Sequence, residues 1–165
     1  MLDVDDSAPD FTLPKAGGDV YNDISEFTLS DALGDGPVVL AFYPAAFTSS
    51  CTAEVCTFRD SMHHFDDLDA EVYGISVDLP PAQNVWIIRE DLNFPMLSDW
   101  GHEVIHEFGV VDPAMYDQYE AAQRSIFVLD EEGTITFRWV EGDGETDFRA
   151  VVDQVREAVT EVAAT

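Results

Sequence analysis

Positive charge is what this 165-residue sequence most lacks. It has seven lysines and arginines, Lys15 being the single lysine, against 34 acidic residues, for a formal net charge of −27. Such a surface excludes nucleic acid and anionic membrane as natural partners. The acids are spread along the whole length, so they do not form an acidic interaction tail. Their mutual repulsion weakens a compact state in dilute buffer and is tolerable where salt screens it, since the Debye length is only about 3 Å at 1 M. A salt-loaded cytoplasm, as in an extreme halophile, is the expected setting. No apolar run is long enough to span a bilayer. The opening MLDVDDSAPDF has neither the basic nor the apolar part of a secretory leader, so a soluble cytoplasmic protein is expected. Only two cysteines occur. In a reducing compartment such a pair is expected to perform chemistry rather than to staple the fold. Repeats and low-complexity linkers are absent, and one domain over residues 1–165 is expected. Hydrophobic residues at 46% give that domain enough material for a core despite the charge.

What is present is concentrated in residues 38–60, VVLAFYPAAFTSSCTAEVCTFRD. Residues 38–43 are apolar and strand-forming, lie between Pro37 and Pro44, and read as a buried β-strand. Thr48, Ser49 and Ser50 offer hydroxyls suited to a helix N-cap. Cys51 then falls in the first turn of a helix running on through Phe58, Met62 and Phe65. Unpaired backbone N–H groups and the positive end of the helix dipole favour thiolate over thiol at that position. A free cysteine is more often one more small buried residue. The pattern around this one sets it apart.

Elsewhere, residues 6–14 read as an opening strand and residues 27–29 as a short one, with Ser30 capping a brief helical turn. Residues 71–77, EVYGISV, read as a second central strand. Residues 82–91 form a helix with Val85, Trp86 and Ile88 partly buried, and residues 94–97 a short strand. Ser98 and Asp99 restart a helix that ends at Gly109. Residues 124–129 and 134–139 make a hairpin across Asp130-Glu131-Glu132-Gly133. A last helix begins near Asp147, with Phe148, Val151, Val152, Val155, Val159 and Val162 on one face. Strands interspersed with helices give the α/β class.

Pro44-x-x-x-Thr48-x-x-Cys51 resembles the PxxxTxxC signature of peroxiredoxins, and it stands between the expected strand and helix. The continuation to Cys56 resembles the bacterioferritin-comigratory, or Q-type, group, which carries a second cysteine five positions after the first. PPAQNVWI (80–87), FPMLSD (94–99), FGV (108–110) and RSIFVLDEEGTI (124–135) extend the likeness over residues 6–160. The middle and C-terminal parts are most similar to the one-cysteine alkyl hydroperoxide reductase E group.

The resemblance implies a thioredoxin-like fold with an N-terminal extension and reduction of hydrogen peroxide or organic hydroperoxides, without metal or cofactor. It implies Cys51 as the nucleophile that becomes a sulfenic acid, the Thr48 hydroxyl as a donor to the peroxide, and Pro44 as a shield. Arg124 would support thiolate and peroxide, Glu54 would orient that arginine, and Cys56 would resolve the sulfenic acid. A thioredoxin-like protein would be the reductant, and the chain a monomer or homodimer. A one-cysteine enzyme resolved by an external thiol stays open, as does a redox sensor or holdase using the same thiol.

Two further patterns compete. His102-Glu103-Val104-Ile105-His106 matches the HExxH zinc-protease motif, but Gly101 and Gly109 leave it about two turns of helix and no later histidine supplies a third ligand. A thioredoxin-type oxidoreductase would need C-x-x-C, and here four residues separate the cysteines.

Overall fold

The computed structural model describes residues 1–164. Its centre is β3 (Val38–Phe42), every residue of which is buried. Seven strands form one sheet in the order β2-β1-β5-β4-β3-β8-β9. The others are β1 (Thr12–Ala16), β2 (Ile24–Thr28), β4 (Glu71–Ser76), β5 (Met96–Ser98), β8 (Ser125–Leu129) and β9 (Ile135–Val140). β3, β4 and β5 run parallel, while β8 lies antiparallel to β3 and forms a hairpin with β9. With α2 (Ser49–Asp66) crossing from β3 to β4 and α5 (Phe148–Ala163) following β9, this is the thioredoxin-like arrangement. The β1-β2 hairpin extends it at the N-terminal side by pairing with β5.

Side chains alternate across a strand, and here both faces are covered, which is why the central strands read as continuous apolar runs. Val39, Ala41 and Tyr43 point to one face, with Ile126 and Val128, and meet Phe58 and Phe65 of α2, Trp86 of α3 (Pro80–Glu90) and Val155 of α5. Val38, Leu40 and Phe42 point to the other and pack with Phe127, Leu129 and Phe108 of α4 (Glu103–Phe108). Among the described residues no helix is long and apolar enough to cross a membrane.

Several elements depart from expectation. Regular pairing near the N-terminus starts at Thr12 rather than Asp6, with only a bridge from Ser7 to Thr134 before it. Asp10 turns away to accept hydrogen bonds from the Phe11 and Ser30 amides, so Asp10 rather than Ser30 serves the start of α1 (Leu29–Ala32). On α3 the buried polar residues are Gln83 and Asn84, while Val85 and Ile88 are exposed. Asn84 latches the β1–β2 loop by accepting from the Gly18 amide and donating to the Tyr21 and Asp23 carbonyls. α4 begins later than expected because the buried Asp99 carboxylate takes the Val104 and Ile105 amides. Finally, β6 (Val111–Met115) and β7 (Tyr119–Ala122) form a separate two-stranded sheet that the sequence did not announce.

Candidate active site

β3 and β8 run antiparallel with Phe42 opposite Ser125. The residue just before β8, Arg124, and those just after β3, Tyr43 and Pro44, therefore lie at the same end of the sheet. Pro44 ends the strand, and the chain turns through Phe47, whose φ of 67° is left-handed, before α2 starts at Ser49. Cys51 is thus in the first turn of α2, where backbone N–H groups lack intrahelical partners. The residue is all but closed off, at 1% exposure.

The arginine meets it there. Arg124 Nη2 donates to Cys51 Sγ at 3.2 Å, Nη1 donates to Glu54 Oε1 at 2.9 Å, and Nε donates to Glu141 Oε1 at 3.2 Å. The ring of Phe148 lies 5.5 Å from the guanidinium carbon. Glu54 sits one turn after Cys51 on α2, so the same helix carries the sulfur and the carboxylate that shares its arginine. Burial pushes the Glu54 carboxyl up to about 7, with Arg124 pulling in the opposite direction. Among the described residues its other oxygen, Oε2, has no hydrogen-bond partner. Burial works against the charge of Arg124, but Glu54, Cys51 and Glu141 together more than offset it and hold the guanidinium above its ordinary range.

Thr48 occupies the N-cap position without capping. Its hydroxyl donates to the Ala45 carbonyl at 2.9 Å. With the proton directed there, the oxygen still has lone pairs to offer. The cleft over the sulfur is lined by Pro44, Thr48, Cys51 and Arg124 and, from β6, by Asp112 and Met115.

Cys56 is on the same helix but outside this group. It is partly exposed, absent from the core cluster, and its thiol faces Glu90 Oε2 at 3.8 Å. Burial pushes this thiol up; Arg59 pulls it down, and Glu90 and Asp60 raise it further. The HExxH match dissolves in three dimensions. His102 precedes the helix with a left-handed φ of 62°, and both histidine rings bond to a single oxygen of Glu120. Among the described residues no group of three or more histidines, cysteines and carboxylates is arranged to hold a metal ion.

Two residues of this region carried no sequence signal that singles them out from the other acids. Glu141 is one. The other is Asp78, whose Oδ2 accepts the Ala46 amide at 2.9 Å and the Ser76 hydroxyl at 2.7 Å, fastening the loop before α2 to the end of β4.

Comparison with known proteins places this geometry. The AhpC/TSA family model matches residues 4–138. Alkyl hydroperoxide reductase E of Mycobacterium tuberculosis is 35% identical over 147 residues, covering 88% of this chain and 90% of that protein. Peroxiredoxin Bcp of Escherichia coli is 35% identical over 136 residues, covering 81% and 83%. The crystal structure of peroxidoxin BcpB from Mycobacterium tuberculosis superimposes with a TM-score of 0.84 at 31% identity, over 98% of this chain and 99% of the other. Peroxiredoxin Q of Xanthomonas campestris gives 0.78 at 26% identity, over 93% and 91%. The matched segment contains both the cysteine turn and the arginine that closes on it, so the chain belongs to the AhpC/TSA family and is a peroxiredoxin.

Proposed function

We propose that the chain is a thiol-dependent peroxidase in which Cys51 is the nucleophile, acting on hydrogen peroxide and small organic hydroperoxides. The observation that carries the reading is the 3.2 Å contact from Arg124 Nη2 to Cys51 Sγ at the floor of an open cleft. A guanidinium there favours the anionic sulfur and has a further N–H to offer the peroxide. The thiolate attacks the distal peroxide oxygen, an S–O bond forms and the O–O bond breaks. Cysteine sulfur is oxidised to sulfenic acid, and the departing oxygen takes up a proton to leave as water or an alcohol. Negative charge builds on the two oxygens during this step, and Arg124 is placed to stabilise it. The Thr48 oxygen is placed to accept the peroxide O–H, and Pro44 covers the sulfur from water. A bacterioferritin comigratory protein of Xanthomonas campestris, 25% identical, is described as having alkyl peroxide reduction activity, in keeping with this substrate class.

Cys56 then resolves the sulfenic acid: its sulfur attacks Cys51 sulfur, a disulfide forms and water leaves. On an intact helix, residues five apart have Cα atoms roughly 8 to 9 Å from each other. A disulfide tolerates about 7 Å. The first turn of α2 must therefore open. A cytoplasmic, thioredoxin-like dithiol returns the disulfide to two thiols, and the acidic surface fits a salt-rich cytoplasm.

Single-turnover oxidation of Cys51→Ser and Cys56→Ser tests the assignment. Cys51→Ser should consume no peroxide above background. Cys56→Ser should be oxidised at the wild-type rate and stop at sulfenic acid, seen by mass spectrometry. Rapid peroxide consumption by Cys51→Ser would sink the proposal. A wild-type product with Cys56 still free would leave a one-cysteine enzyme.

A further inference from the structure

The guanidinium of Arg124 is held at three corners, and only two of the three partners lie on α2 with the nucleophile. The third, Glu141, follows β9 and is fixed independently. Its backbone amide donates to the Arg124 carbonyl at 3.0 Å, carrying the β8-β9 ladder one step past the Ser125–Val140 pair. One side-chain oxygen takes Arg124 Nε, and the other accepts the Thr146 hydroxyl at 2.6 Å. Thr146 directly precedes Asp147, which caps α5 by accepting the Ala150 amide. Glu141 is thus clamped between the strand hairpin and the start of the last helix.

The two carboxylates on this arginine differ in kind. Glu54 is fully buried and travels with α2, whereas the Glu141 side chain is 29% exposed and stays with the sheet. Glu54 and Cys51 tie the guanidinium to α2, and Glu141 ties it to the strand hairpin. With Nε, Nη1 and Nη2 all engaged, the plane of the guanidinium is fixed and its outer edge faces one point in the cleft.

We propose that Glu141, anchored by Thr146, is a positioning residue for the peroxide step. It fixes the guanidinium of Arg124 so that Nη2 faces the Cys51 sulfur and presents its second proton to the incoming peroxide. The inference rests on Cys51 as nucleophile and Arg124 as donor.

The test compares two reactions of the same thiol in the full-length protein. Oxidation by hydrogen peroxide needs the aligned donor, whereas alkylation by iodoacetamide needs only the thiolate. Glu141→Ala should slow single-turnover oxidation about tenfold, because small misplacements of a catalytic group are costly, while alkylation changes by less than about twofold. Glu141→Gln keeps an oxygen for Nε and should recover most of the lost rate. Thr146→Val removes only the anchor and should slow oxidation about threefold. Oxidation of Glu141→Ala within about twofold of wild type would overturn the proposal, as would parallel loss of both reactions. If Glu141→Ala does not fold, Thr146→Val decides in the same way: slower oxidation with unchanged alkylation supports the role, and unchanged oxidation removes it. Failure of the underlying reading looks different, since Cys51→Ser would then still consume peroxide.

Discussion

Cys51 and Cys56 lie five residues apart on one helix, yet they face opposite surroundings. Cys51 is closed in against the guanidinium of Arg124, whereas Cys56 is half exposed beside the carboxylate of Glu90. One sulfur thus lies against a cation, whereas burial and the Glu90 carboxylate push the other thiol up. Packing follows the same division. Beyond Cys56, α2 is held by Phe58 and Phe65, each fully buried and worth about 1.5–3 kcal/mol. Before it, the smaller Cys51 and Val55 share that core, and polar contacts around Arg124 and the Asp78 tie to Ala46 add to their hold.

The sharpest way to break the contrast is to take the cation from Cys51. Arg124→Gln should lower the rate of Cys51 oxidation about 10²- to 10³-fold, as loss of one aligned charge-stabilising donor does elsewhere. Stopped-flow oxidation reads it directly, and a loss below about tenfold would mean that the donor lies elsewhere.

The complementary change relieves Cys56. Burial and the Glu90 carboxylate both hold its thiol up, so Glu90→Gln should bring it partway down and speed disulfide formation by roughly threefold. Oxidation of Cys51 itself should not change. The rate of disulfide appearance after rapid oxidation checks this, and an unchanged rate would leave helix opening, not thiol ionisation, as the limiting step.

Glu54 sharpens the comparison through pH. Its carboxyl titrates near 4.5 in the unfolded chain and is pushed to about 7 by burial in the folded protein. Between those values the folded state holds the extra proton. The stability contribution is therefore full below 4.5 and declines as pH rises through about 7. Glu54→Gln cannot titrate and should flatten that decline, as read from urea midpoints at about pH 5 and about pH 8. A wild-type decline that persists in the variant would assign it to another group.

The smallest effect concerns the remainder of the surface. With a net charge of −27, raising KCl from about 0.1 M to about 2 M should raise the melting midpoint by screening exposed carboxylates. The buried Arg124–Glu54 contact, at 2.9 Å, is little screened, so oxidation of Cys51 should respond to salt much less than stability does. An unchanged or lower midpoint at high salt would count against adaptation to a salt-rich cytoplasm.

The parts of this structure legible in the sequence are those where local pattern and tertiary demand agree. Residues 38–43 had to be a strand because both faces are buried, and Pro44 had to end it. The start of the last helix near Asp147 was equally plain, because Asp147 does cap α5. Arg124 stood out since cations are so scarce. What stayed hidden depends on distant partners. One carboxylate among 34 acids gives no sign that it will grip an arginine or fasten a loop, as Glu141 and Asp78 do. The β6-β7 hairpin contains Pro113 and weak alternation, which argues against a strand, and it forms because it is a short two-stranded ribbon with little ladder to interrupt. On α3, Gln83 and Asn84 displaced apolar neighbours from the inner face because each finds buried partners.

Phe47 adds a mechanical consequence. A bulky side chain in left-handed backbone, at φ 67°, stores roughly 1–2 kcal/mol of strain. It lies between Ala46, pinned to Asp78, and the start of α2 at Ser49. Under the proposed resolution by Cys56, release of that strain would return part of the cost of opening the first turn of α2. The bend should accordingly be confined, with amide exchange in the reduced protein fastest across residues 47–50 and slow from Phe58 onward. Uniform exchange along the whole helix would mean that it opens as one body and that the spring at Phe47 has no part in it.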